Sequence, residues 1–448
     1  MVKRYLSGLF LAFIFLLTFI VELLMLTTWM GKPSLDASPA IWLVTGILNA
    51  WTGSILIGRY GLGADDTGNK MTLSPAKTWG IILTLIVGVG YTAGLLHHIF
   101  QDIPELSTAS DIIPGKKEFV RRLLHGETVY LPVHFDTYDL QPTFLPFRWL
   151  PFTIAEVFKF DYRWIPFSGF VLGVCVWIFS RDIKNKNVPL LETILKVLFP
   201  FWALGQFIVD EKFNFGLAVE LLILGYHLIL ARFMFHKNPW VVGLSVVLCL
   251  LSRYSIILWL AVPATWLIME KRYAFLGKII LATVAGIFLF YWLPFCRHDL
   301  GKHFITASHY YVEACRGCWH VDSWQPADAI PSFLGKGQGF QYWSYAHGPA
   351  DLEDRYQLNM KLGLWTCAAS ILISCIILFR YMRKENDPVV IKGLILGSLK
   401  VYMIFFIGFI MCPFSYLFIV PFFLSLPMLY SIPFKSVFYN QLRRPYHY

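Results

Sequence analysis

Ten apolar stretches, each near the ~20 residues that a helix needs to cross a hydrocarbon core, decide what this chain can fold into. They lie near residues 6–29, 40–58, 78–97, 166–180, 190–208, 214–231, 275–295, 360–380, 389–411 and 414–432. In lipid, every backbone polar group must find its partner inside the chain, so such stretches fold as helices and pack as a bundle. Composition agrees: of 448 residues, 57% are hydrophobic and 15% charged, against roughly 45–50% and about 25% in soluble domains. The expected class is an all-α polytopic membrane protein.

The net charge of +10 suits nucleic-acid binding only if the basic residues form a surface of their own. Here they fall between apolar stretches, and no nucleic-acid module, GxGxxG or P-loop is present. Lys3, Arg4, Arg59, Lys70, Lys77, Arg181, Lys184, Lys186, Arg232, Lys237, Lys271, Arg272, Lys278, Arg380, Arg383, Lys384, Lys435, Arg443 and Arg444 occupy alternate connections, while short loops on the other side carry Lys32 and Lys212. Basic residues in short loops mark the cytoplasmic side. Both termini are therefore expected inside a cytoplasmic (inner) membrane, with the first span retained. Two long loops, 98–165 and 296–359, face outward.

The apolar stretch 239–269 has cytoplasmic flanks, so it crosses an even number of times. Its length of about 30 residues is too short for two full spans. It reads as a tight pair of short helices or a re-entrant hairpin, turning at Ser252-Arg253-Tyr254. The total is about twelve crossings.

The first long loop opens on Ser110-Asp111-Ile112-Ile113-Pro114. Residues 115–125 place Phe119, Val120, Leu123 and Leu124 on one helical face, which suggests an amphipathic helix on the membrane surface. Next come His125-Gly126-Glu127-Thr128-Val129-Tyr130 and the run Pro142-Thr143-Phe144-Leu145-Pro146-Phe147-Arg148-Trp149-Leu150-Pro151, whose prolines bar a long regular helix. Asp136 and Asp139 between them read as sugar or cation ligands, or as turn formers.

In this order, the Asp, the short helix, the Gly-Glu-x-Val-Tyr corner and the Pro-rich run resemble the first outer loop of GT-C-fold glycosyltransferases. The closest branch is the polyprenol-phosphate-mannose-dependent glycosyltransferase family 87. Leu251-Ser252-Arg253-Tyr254 resembles that family's short helix pair with a basic residue, and Met411-Cys412-Pro413-Phe414-Ser415-Tyr416 its late loop. The resemblance implies a GT-C-like bundle over 78–448, preceded by two additional helices in 1–77. It also implies transfer of a mannose-like hexose or a pentose from a polyprenyl-phosphate donor to a lipid or glycan acceptor, with membrane lipids around it and no nucleic acid. The loop holds a single Asp where oligosaccharyltransferases have a paired acidic motif, so no metal or other cofactor is expected.

Such chemistry needs a base for the acceptor hydroxyl and cations for the departing phosphate. Asp111 is the candidate base; alternatively it caps the helix that starts after it. Arg253 is the candidate phosphate ligand, since Arg offers a fixed fork of donors; alternatively it snorkels to the interface. Lys116, Arg121 and Arg148 are further phosphate candidates, or headgroup-facing charges. Tyr130, His347 and Tyr416 complete the expected substrate contacts.

The second long loop is rich in aromatic residues and His, among them His303, His309, Tyr310, Tyr311, Trp319 and His320. Cys315 and Cys318 read as a local disulfide, with a metal site shared with His309 and His320, or free thiols, as alternatives. A transporter or flippase, and a non-catalytic scaffold, are the competing readings of the whole chain.

Overall fold

The computed structural model describes residues 7–28, 38–61, 75–103, 110–135, 138–180, 188–210, 215, 219–297, 300–321, 326, 329–331, 334, 339–435 and 437. Asp136 lies outside these. The chain is an all-α polytopic membrane protein: seven of its described helices are long and apolar enough to cross a membrane. These are α1 (Ser7–Thr28), α2 (Ser38–Tyr60), α3 (Pro75–Asp102), α8 (Leu190–Asp210), α12 (Tyr273–Ile287, continued as a π-helix to Cys296), α15 (Leu352–Lys384) and α16 (Pro388–Gly408).

Between α3 and α8 come α4 (Ile112–Leu124), the strands β1 (Val133–His134) and β2 (Asp139–Leu140), α5 (Pro146–Trp149), α6 (Thr153–Phe158) and α7 (Trp164–Ile178). Shorter helices fill the middle of the chain: α9 (Glu220–Phe233), α10 (Pro239–Leu250) and α11 (Ala261–Met269). The second loop folds into α13 (Lys302–Gly317) and α14 (Gln341–His347). The last apolar stretch is broken into a 3-10 turn (Ser415–Phe418), α17 (Ile419–Phe423) and α18 (Leu426–Ser431).

Lipid tails are as apolar as Leu, so helix association here relies on close packing rather than on hydrophobic exclusion. The α7–α9 contact shows how it is done. A Cβ placed on Gly225 would lie 2.1 Å from the Gly169 carbonyl oxygen, so only glycine permits this approach. On α2, the Ser54 hydroxyl donates to the Gly393 carbonyl of α16 at 2.8 Å. α2 packs along α16 and α1 along α2, and all three share one apolar core with the rest of the bundle.

The stretch 239–269 forms the expected short pair, α10 and α11, with Leu251–Leu260 as its tip. This tip meets the first loop: the Phe147 amide donates to the Leu251 carbonyl at 2.9 Å. The first loop meets the second through Tyr130, stacked on His303 at 4.4 Å. The second meets the end of α16, where the Phe340 amide donates to the Gly408 carbonyl at 2.7 Å. One end of the bundle is thus built from both long loops, the α10–α11 tip and the end of α16. We call it the loop end.

The apolar face of α4 is divided: Phe119 is fully buried edge-on against Trp149, with Tyr130 and Phe144 beside it, while Leu124 is exposed. Asp139 lies on β2 with its side chain exposed. It pairs in register with His134 across the β1–β2 ladder, its carboxylate 2.6 Å from the imidazole Nδ1.

Candidate functional site

Asp111 sits immediately before α4. Its side chain makes no cap to the helix; the Ile112 amide donates instead to Ser110 Oγ at 3.2 Å. The capping role that competed with a catalytic one therefore falls to the neighbouring serine. The Asp111 carboxylate lies within hydrogen-bonding reach of the Tyr138 phenol, with Tyr310 of α13 nearby. Partial burial, and then the charge of Asp111, hold the protons on both phenols above the ordinary range.

One turn along α4, Lys116 is wholly buried, and its ammonium donates to the Ile112 carbonyl at 2.9 Å. The same ammonium stands 4.0 Å above the Phe144 ring, while the Arg148 guanidinium lies 4.9 Å from that ring. Two basic side chains therefore share one aromatic ring. Burial pushes the Lys116 pKa well below its usual value; Arg148 pushes the same way, and Asp111 and Glu220 oppose it.

Glu220 begins α9 and is 1% exposed. The Arg253 guanidinium donates to its Oε1 at 2.9 Å from the α10–α11 tip, and Arg148 approaches the same oxygen at 3.6 Å from α5. Arg253 does not snorkel; it turns inward to a buried carboxylate. Glu220 Oε2 and Arg148 Nε are buried without a hydrogen-bond partner. Tyr416, in the 3-10 turn after α16, is close enough to feel the charges of Glu220, Arg148 and Arg253.

Five segments distant in sequence thus bring Asp111, Lys116, Arg148, Glu220, Arg253 and Tyr416 to the loop end. In this cluster two guanidiniums stand against the Glu220 and Asp111 carboxylates, and Lys116, whose burial works against its charge, adds a third basic group. An anion with several oxygens, such as a phosphate, matches two guanidiniums and an ammonium.

Three expected residues lie elsewhere. Arg121 is exposed and clasped by Glu118 and Glu127 at 2.7–2.8 Å, so its charge is already matched. Tyr130 is buried, donating to the Phe144 carbonyl at 3.1 Å and accepting from Trp149 Nε1 at 3.2 Å. It braces the loop. His347 ends α14 on the surface beside Trp343. Sequence reading missed Glu220, although an acidic residue within an apolar stretch is itself a signal.

The expected Cys315–Cys318 pair is also not formed: Cys318 Sγ faces Cys412 Sγ at 2.7 Å. Among the described residues, no group of three or more His, Cys, Asp or Glu is arranged to hold a metal ion. An apolar groove of about 500 Å³ opens between α3 and α8, lined by Val87, Tyr91, Leu195, Phe199 and Trp202. Comparison with known proteins finds no matching family model, curated protein or solved structure.

Proposed function

We propose that the protein is a membrane glycosyltransferase acting at the outer face of a cytoplasmic membrane, with both termini inside. It moves a sugar from a polyprenyl-phosphate donor to a lipid or glycan acceptor. One observation carries this reading: Lys116, Arg148 and Arg253 gather around Glu220 at the loop end, and Lys116 also feels the charge of Asp111, a carboxylate that no helix cap consumes.

Asp111 takes the proton of the acceptor hydroxyl as its oxygen attacks the anomeric carbon. The bond from that carbon to the phosphate oxygen breaks on the opposite face, so the configuration inverts. The polyprenyl phosphate leaves with an added negative charge, which Arg253, Arg148 and Lys116 stabilise in a site screened from water. Glu220 holds both guanidiniums in place. The transporter or flippase reading draws instead on Glu22 and Lys400, ionisable residues buried among helices.

The test is sugar transfer from polyprenyl-phosphate donors in membranes, comparing wild type with Asp111→Asn at matched expression. A lost general base reduces transfer by roughly 10²–10⁴-fold. Full transfer by the Asn variant sinks the assignment.

A further inference from the structure

We infer that Cys318 and Cys412 form a disulfide that latches the second long loop to the turn following α16. It is independent of the transferase reading. Cys318 caps α13, and Cys412 lies in the turn between α16 and the 3-10 segment carrying Tyr416. Their sulfur atoms are 2.7 Å apart, although 94 residues separate them in sequence. That is nearer than two thiols rest without a shared proton or a bond.

The approach is built by other contacts. Trp319, beside Cys318 and almost wholly buried, donates its indole N–H to the Met411 carbonyl at 2.9 Å. Asn359 donates to the Phe409 carbonyl at 3.0 Å. These bonds fix the 409–412 turn from both sides, so the sulfurs meet because the backbone brings them together. Cys315, Trp319, Leu334, Tyr356 and Cys412 form a small apolar core of their own around the contact. Cys315 lies near both sulfurs, and its thiol takes a hydrogen bond from the Tyr311 hydroxyl.

The two thiols differ in access. Cys318 is partly exposed and Cys412 is buried. Cys318, as thiolate, attacks an external disulfide and forms a mixed disulfide with release of one thiol. Cys412 then attacks the Cys318 sulfur and releases the second. Two electrons pass to the external disulfide, and the two protons lost by the cysteines appear on the two small thiols. The closed link joins α13, which carries Tyr310 beside Asp111, to the turn four residues before Tyr416.

The experiment uses the full chain in detergent, reduced, exchanged into oxidised glutathione, alkylated, and digested for peptide mass mapping. The expected product is a peptide pair linked through Cys318 and Cys412, with Cys315 alkylated. Oxidation should raise the melting temperature by roughly 5 °C. Cys412→Ala and Cys318→Ala should each abolish both the link and the rise, and Cys315→Ala should preserve both. A Cys315–Cys318 link, unlinked Cys318 and Cys412 after glutathione treatment, or loss of the link in Cys315→Ala overturns the proposal.

Discussion

Two buried ionic clusters in this molecule look alike and are built to opposite ends. At the loop end, Glu220 faces Arg148 and Arg253, with Lys116 close by. Within the bundle, Lys400 of α16 donates to Glu22 of α1 at 2.6 Å, to Asn49 of α2 at 3.1 Å and to Ser425 at 2.5 Å. Each cluster leaves one carboxylate oxygen without a hydrogen bond, Glu22 Oε1 and Glu220 Oε2. The difference lies on the cationic side. Lys400 is 0% exposed and has one acid and two neutral acceptors to itself. Arg148 and Arg253 keep 21% and 15% of their side chains exposed while sharing one carboxylate oxygen. The inner charge is sealed and matched one to one; the loop-end guanidiniums are accessible and share a single acid.

That contrast breaks most readily at Lys400. Lys400→Met leaves a buried carboxylate uncompensated, which costs about 3–5 kcal/mol and should lower the melting temperature more than any change at the loop end. Adding Glu22→Gln should recover most of the loss. If the single variant melts like the parent, the inner cluster is not a fastening.

Arg253→Ala should show the opposite profile. Transfer from a polyprenyl-phosphate donor should fall about 100-fold through loss of a charge-assisted contact to the leaving phosphate, with a smaller melting shift than Lys400→Met. Arg121→Ala, which removes an exposed and already matched cation, should leave both readouts near the parent. Equal losses in the two Arg variants would erase the distinction between accessible and matched charge.

Lys116 sharpens the comparison through pH. Its folded pKa is depressed by burial, so the unfolded chain binds its proton more readily. Its contribution to stability is full above the ordinary lysine value of about 10.4 and is lost as pH falls through the lowered folded value. Lys116→Met should therefore melt slightly higher than wild type at neutral pH, with the gap closing as pH rises towards 10. An unchanged gap across that range would mean that Lys116 is not the source.

The sequence carried much of this arrangement because charge in an apolar chain is conspicuous. Arg253 stood out at the tip of a short apolar pair and Lys116 and Arg148 as charges of the first loop, whereas Asp111 and Tyr416 were singled out through the resemblance. Glu220 was passed over although it lies inside the apolar stretch 214–231, because its partners Arg148 and Arg253 come from distant segments. Helix ends were less legible. Residues 352–359 read as loop because they are polar, yet they form the first two turns of α15, where Asp351 accepts from the Asp354 amide to start the helix. Tyr130 and Arg121 were singled out by motif alone, and only packing separates a brace or a surface clasp from a ligand. The Cys318–Cys412 approach joins residues 94 apart, beyond any local pattern.

α15 runs 33 residues without interruption, roughly 50 Å at 1.5 Å per residue, against a hydrocarbon core of about 30 Å. A helix longer than the core tilts within it or projects beyond it. Loop-end segments are fastened along α15: Arg316 reaches Glu353, and Asn359 reaches the turn after α16. Helix length, which lipid thickness does not alter, therefore sets how high above the hydrocarbon the second loop is carried. A thicker hydrocarbon core covers more of the same helix, so the second loop stands nearer the lipid in a thick membrane than in a thin one.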